Sequence, residues 1–103
     1  MKTRNDVKNK IKTSSPLMLT ATSGDSKGEI DLVWEPVCRA DIYIIQKSSG
    51  SLKPAKWKRE DIVTKSSYTV TELKSSHKYW FRVAAVSSHG QGLWSKAVQK
   101  KAP

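Results

Sequence analysis

From Ser15 onward, apolar and polar residues alternate in short runs, with turn formers every ten residues or so. This is the rhythm of an all-β sandwich or barrel. One clear run is Glu29 to Trp34, which places Ile30, Leu32 and Trp34 inward and Glu29, Asp31 and Val33 outward. Pro36 ends that strand. Asp41 to Lys47 follows, with Tyr43 and Ile45 in the inward phase and Ile42 and Ile44 facing out. The longest run begins at Tyr79: Tyr79, Phe81, Val83 and Ala85 point inward, while Trp80, Arg82 and Ala84 point outward. A polar, glycine-bearing turn over Ser87 to Gly92 and a closing run from Trp94 to Lys100 complete a hairpin pattern.

The remaining elements are weaker. Pro16 to Thr22 reads as an edge strand with Leu17, Leu19 and Ala21 on one side; a proline is tolerated at such a start because an edge can spare a donor. Ser23 to Gly28 is a turn, Ser48 to Pro54 a polar loop, and Ala55 to Ile62 a basic edge strand around Trp57. Ser67 to Thr71 is short, with Tyr68 and Val70 sharing a face, and Leu73 precedes a loop over Lys74 to Lys78. The pattern predicts seven strands, no helix and no internal repeat.

Residues 1 to 14 are different in kind: polar, basic and too poor in apolar side chains to offset their own ordering. They read as a leader or linker before a single domain over residues 15 to 103. A helix over Val7 to Lys12 would have only the Val7 and Ile11 pair to support it. The net charge of +10 favours acidic partners, but Lys2, Arg4, Lys8, Lys10 and Lys12 against Asp6 put +4 of it in this leader. The domain itself is only moderately basic. There is no signal-peptide apolar region and no membrane-length apolar stretch, so the chain is expected to be soluble without an export signal. A fragment of a longer exported protein would look the same. Cys38 is the only cysteine, which excludes an internal disulfide.

Three motifs carry a family resemblance. Gly28-Glu29-Ile30-Asp31-Leu32-Val33-Trp34-Glu35-Pro36 resembles the second strand of a fibronectin type III module, with its buried tryptophan ahead of a proline. Leu73, with Tyr79 six positions later, is similar to that family's tyrosine corner. Tyr79 to Ser95 resembles such modules from bacterial proteins in particular, where a YWFRVAAV strand and a Gly-x-Trp-Ser start to the last strand occur together. The resemblance covers residues 15 to 103. It implies a seven-stranded, Greek-key, immunoglobulin-like β-sandwich in which Trp34, Leu73, Tyr79 and Trp94 are structural. It also implies a non-catalytic module of a larger protein, acting as spacer or protein-interaction domain, and an extracellular or cell-surface setting if the chain is a fragment. No Arg-Gly-Asp tripeptide occurs, so integrin-type adhesion is unsupported.

Chemistry is sparse. His77 and His89 are the only histidines, and no zinc-protease, CxxC, phosphate-loop or nucleophile-elbow motif is present. In the resembling fold Cys38 and His89 share a pole, where a thiolate or metal pair is conceivable. Without an orienting carboxylate or a second ligand pair they read as plain loop residues. No catalytic residue, metal or cofactor is expected.

Two binding surfaces compete. One is a loop pole bearing Arg39, Lys65, His89 and Gln91 on a rigid frame. The other is a sheet face with Ile42, Ile44, Trp80 and Arg82, either an exposed apolar patch for a partner or a sugar ring, or a structural stack of Arg82 on Trp94 worth roughly 0.5 to 1 kcal/mol. Which side Trp57 takes is open. The cluster Lys53, Lys56, Lys58 and Arg59 is followed by Glu60 and Asp61, which suits protection of a sheet edge better than phosphate binding. The expected partner is a protein or glycan, with an anionic polymer as alternative; nucleic acid is disfavoured, since no base-stacking aromatic array exists. The isolated domain is expected to be monomeric.

Overall fold

The computed structural model describes residues 13–50 and 56–103. Most of the expected leader, the helix considered over Val7 to Lys12, and Lys53 lie outside the described residues. The chain forms strands β1 (Thr20–Ser23), β2 (Ile30–Val33), β3 (Ile42–Ser49), β4 (Lys58–Val63), β5 (Ser67–Val70), β6 (Lys78–Ser87), β7 (Gly90–Gln91) and β8 (Val98–Lys101). One antiparallel sheet has the order β1-β2-β5; the other has β4-β3-β6, with β7 and β8 both pairing β6. No helix occurs among the described residues. The two sheets form an immunoglobulin-like β-sandwich.

Period-2 alternation explains the core. Ile30, Leu32, Tyr43, Ile45, Val70, Phe81, Val83 and Ala85 form one buried cluster together with Trp34, Leu73 and Tyr79. Within it the Trp34 and Tyr43 rings meet edge-on at 5.4 Å between centroids. Tyr79 makes the expected corner: its hydroxyl accepts the Lys74 amide at 2.9 Å. Gly28 locks the same end, for its φ is 77° and an added Cβ would lie 2.6 Å from the Leu73 carbonyl oxygen.

Three expectations are corrected. Leu17 does not share a side with Leu19 and Ala21; it is 62% exposed, whereas Leu19 is 8% exposed. Met18 has a φ of 59°, which interrupts the pleat and turns Leu17 outward. The closing run does not start as a strand at Trp94, because the last strand is split into β7 and β8. Ser95 bridges the gap: its amide donates to the Val83 carbonyl at 2.7 Å and its hydroxyl accepts the Val83 amide at 3.0 Å. A side chain thus stands in for a strand partner, and the last of the seven expected strands runs as two segments, β7 and β8, both pairing β6. Ala84, in the outward phase, is fully buried all the same. Its methyl lies low opposite Ile44 and beside Arg82.

Candidate binding surfaces

The β4 edge sets up the outer face of the larger sheet. Between Ile45 and Gln46 the β3–β4 register shifts: Asp61 opposes Ile45, but Arg59 opposes Gln46, leaving Glu60 as the extra residue. A bulge of this kind places two successive side chains on one side. Glu60 accepts a hydrogen bond from the Tyr68 hydroxyl at 3.2 Å and approaches the Lys47 ammonium at 3.4 Å, joining the two sheets at their seam. Burial first, then the Glu60 and Asp61 carboxylates, push the Tyr68 hydroxyl up to about 12. The same bulge reverses the phase of everything ahead of it, so Trp57 reaches the outer face.

There Trp57 meets Arg82. The guanidinium carbon lies 4.3 Å from the centroid of Trp57 and 4.3 Å from that of Trp94. Arg82 Nε donates to Gln46 Oε1 at 2.8 Å. A flat cation clasped between two indoles gains from both ring faces. Burial pulls the Arg82 guanidinium below its ordinary value. Ile42, Ile44, Trp80 and Arg82 are all half-buried, while Ile62, opposite Ile44 on the same face, is 41% exposed. Ser48, opposite Trp80, is buried with a hydroxyl that has no hydrogen-bond partner. Gln46 was not among the residues singled out from sequence, and the side that sequence leaves open for Trp57 is set by a bulge with no signature in residue type.

Arg39, Lys65, His89 and Gln91 are exposed. Topology brings them to one pole: Arg39 in the β2–β3 loop, Lys65 in the β4–β5 turn, His89 and Gln91 in the β6–β7 hairpin. The pole is braced by the backbone. Asp41 N–H donates to the Val86 carbonyl at 2.8 Å, and Val37 N–H donates to the Tyr43 hydroxyl at 2.9 Å. Thr13 joins the same pole, its hydroxyl bonding the Gly90 carbonyl at 2.8 Å and meeting the Ser87 hydroxyl at 2.7 Å. Gly92 permits that close pass, since a Cβ there would collide with the Thr13 carbonyl oxygen. Cys38 is exposed near this end, and His77 sits at the other. Among the described residues no three His, Cys, Asp or Glu side chains converge as a metal site, and no helix is long and apolar enough to cross a membrane.

Known proteins echo this architecture. Residues 14–101 match the model of the fibronectin type III domain. No curated protein matches the chain. Among solved structures, the twitchin kinase region from C. elegans aligns with a TM-score of 0.78 at 18% identity, over 89% of this chain and 17% of that one. A Fn3-like protein from Clostridium thermocellum aligns with a TM-score of 0.75 at 26% identity, over 88% of this chain and 94% of that one. The FN5 domain of Drosophila Lar gives a TM-score of 0.70 at 27% identity, over 88% of this chain and 97% of that one. Against the twitchin region, then, the chain spans about a sixth of the length.

Proposed function

The chain belongs to the fibronectin type III family, and from that premise we propose that it acts as a non-catalytic, in-line module, a spacer that also presents its loop pole to a protein partner. Domains of this family are commonly modules within larger proteins and are generally non-catalytic.

One observation supports the in-line role above the rest: residues 13 and 103 are anchored at opposite poles. Thr13 is bonded to the β6–β7 hairpin at one end. At the other, the Pro103 carbonyl accepts the Gly28 amide at 2.9 Å, and Ala102 is bonded both to Ser76 and to His77. A chain that comes in at one pole and leaves at the other adds length to whatever holds it. The loop pole supports the interaction role because its charged side chains stand free on a hydrogen-bonded base.

Distance measurement between fluorophores at Ser14→Cys and Pro103→Cys, in a Cys38→Ser background, tests the spacer role. The expected separation is roughly 35 Å, the span of a ten-residue strand such as β6. A value near the ~10 Å spacing of packed sheets would put both ends together and overturn it. For the interaction role, Arg39→Ala, Lys65→Ala, His89→Ala and Gln91→Ala combined should abolish capture of any protein the native module retains. Undiminished capture refutes the pole as the contact.

A further inference from the structure

At the end of the sandwich where Pro103 leaves, lysines crowd a single cleft. Lys47, Lys56 and Lys58 line it together with Ser49 and Tyr79, enclosing about 330 Å³. Lys58 stands directly opposite Lys47 across β4 and β3, and one strand further on Lys78 stands opposite Lys101 across β6 and β8. Like charges in direct register destabilise a sheet. Lysines on the outer strands β4 and β8 are accounted for as guards against edge-to-edge pairing. Lys47 is not, because at that position β3 is paired on both edges, to Lys58 of β4 and Phe81 of β6. Among the described residues, Glu60 pairs with Lys47 at 3.4 Å.

We infer that this cleft is a binding site for a thin anionic polysaccharide, whose sulfate or carboxylate groups are held by the Lys47, Lys56 and Lys58 ammoniums. The shape and lining choose among polyanions. A nucleic-acid duplex takes a convex element into its groove, whereas these lysines converge on a concavity. Single-stranded nucleic acid is held by exposed aromatic platforms. Tyr79, the only ring here, is buried, with the Lys47 ammonium 5.8 Å from its centroid. A membrane surface calls for apolar side chains that insert, and among the described residues none of the exposed large ones, Leu17, Met18, Val33, Ile62 and Leu93, lines the cleft. An acidic peptide adding to the β4 edge would meet Glu60 and Asp61. A sugar chain brings anionic groups without bases, and hydroxyls that Ser49 can bond.

Binding of dextran sulfate to the full chain tests this, with neutral dextran, polyglutamate and single-stranded oligothymidylate as comparison probes. Lys47→Gln, Lys56→Gln and Lys58→Gln together should weaken dextran sulfate binding by about tenfold and flatten its dependence on salt, since fewer counterions are released. Lys27→Gln, Lys74→Gln and Lys96→Gln remove the same charge outside the cleft and should leave affinity within about twofold. Lys56→Gln with Lys58→Gln keeps the Lys47–Glu60 pair and serves if the triple variant does not fold. Equal losses in the two triple variants would reduce the effect to net charge and overturn the site. So would the absence of dextran sulfate binding, or equal binding of neutral dextran. Polyglutamate or oligothymidylate binding as tightly as dextran sulfate would overturn the polysaccharide assignment.

Discussion

The two outer faces of the sandwich solve the same problem in opposite ways. On the smaller sheet, β1, β2 and β5 turn short side chains, polar apart from Val33, to solvent, and a hydrogen bond runs from the Thr69 hydroxyl to Asp31 at 2.7 Å. On the larger sheet, Trp57, Arg82, Trp94, Gln46 and Trp80 build a second packed layer over the strands. Ala84, on that same face, is fully buried as a result. A sandwich needs only its inner faces for a core, so the outer layer is extra apolar burial bought with aromatic residues. The difference teaches that the larger sheet is stabilised from both sides and the smaller from one.

The largest test of that contrast removes an indole. Trp94→Ala should cost about 2 to 3 kcal/mol by denaturant unfolding, below the ~3 to 5 of a fully buried tryptophan because the ring is half-exposed. Thr69→Ala on the other sheet should cost no more than about 1 kcal/mol. Equal costs would dissolve the distinction. Next, a double-mutant cycle between Arg82→Met and Trp94→Ala should return a coupling of roughly 0.5 to 1 kcal/mol, and no coupling would make the stack mere proximity.

At the seam between the sheets, Tyr68 gives a pH signature. Its folded-state value of about 12 lies above the ordinary 10.0, so the folded chain holds that proton more tightly. The stabilisation is complete below pH 10 and is lost as pH rises towards 12. Tyr68→Phe should flatten the stability profile across that window, and an unchanged profile contradicts the assignment. The smallest effect belongs to Ser48. Ser48→Ala deletes a buried hydroxyl without a partner and should leave thermal stability unchanged or slightly raised, within about 1 kcal/mol; a clear loss would show that the hydroxyl is satisfied in solution.

Inward positions were legible because period-2 burial leaves a trace in residue type: Ile30, Leu32, Trp34, Tyr79, Phe81 and Val83 are large and apolar at alternate sites. What escaped depends on single backbone events. The positive φ at Met18, the bulge at Glu60 and the Ser95 bridge each shift phase or pairing without changing the local hydrophobic pattern. The sheet-face residues show the consequence. Arg82 and Trp94 could be paired from adjacent strands, but Trp57 belongs to the stack only after the bulge has turned it. The loop-pole residues were brought together by topology alone, which the order of strands made readable.

Anchoring residues 13 and 103 at opposite poles has a mechanical meaning. β1 and β8 run in the same direction, lie in different sheets, and are held by β2 and β6 respectively. Tension applied between those residues pulls β1 backward and β8 forward, each sliding along its partner. The ladder bonds are then loaded together and not peeled one after another. The first to feel the pull are the Thr13 contacts to Ser87 and Gly90, a small latch set ahead of the shear-loaded strands.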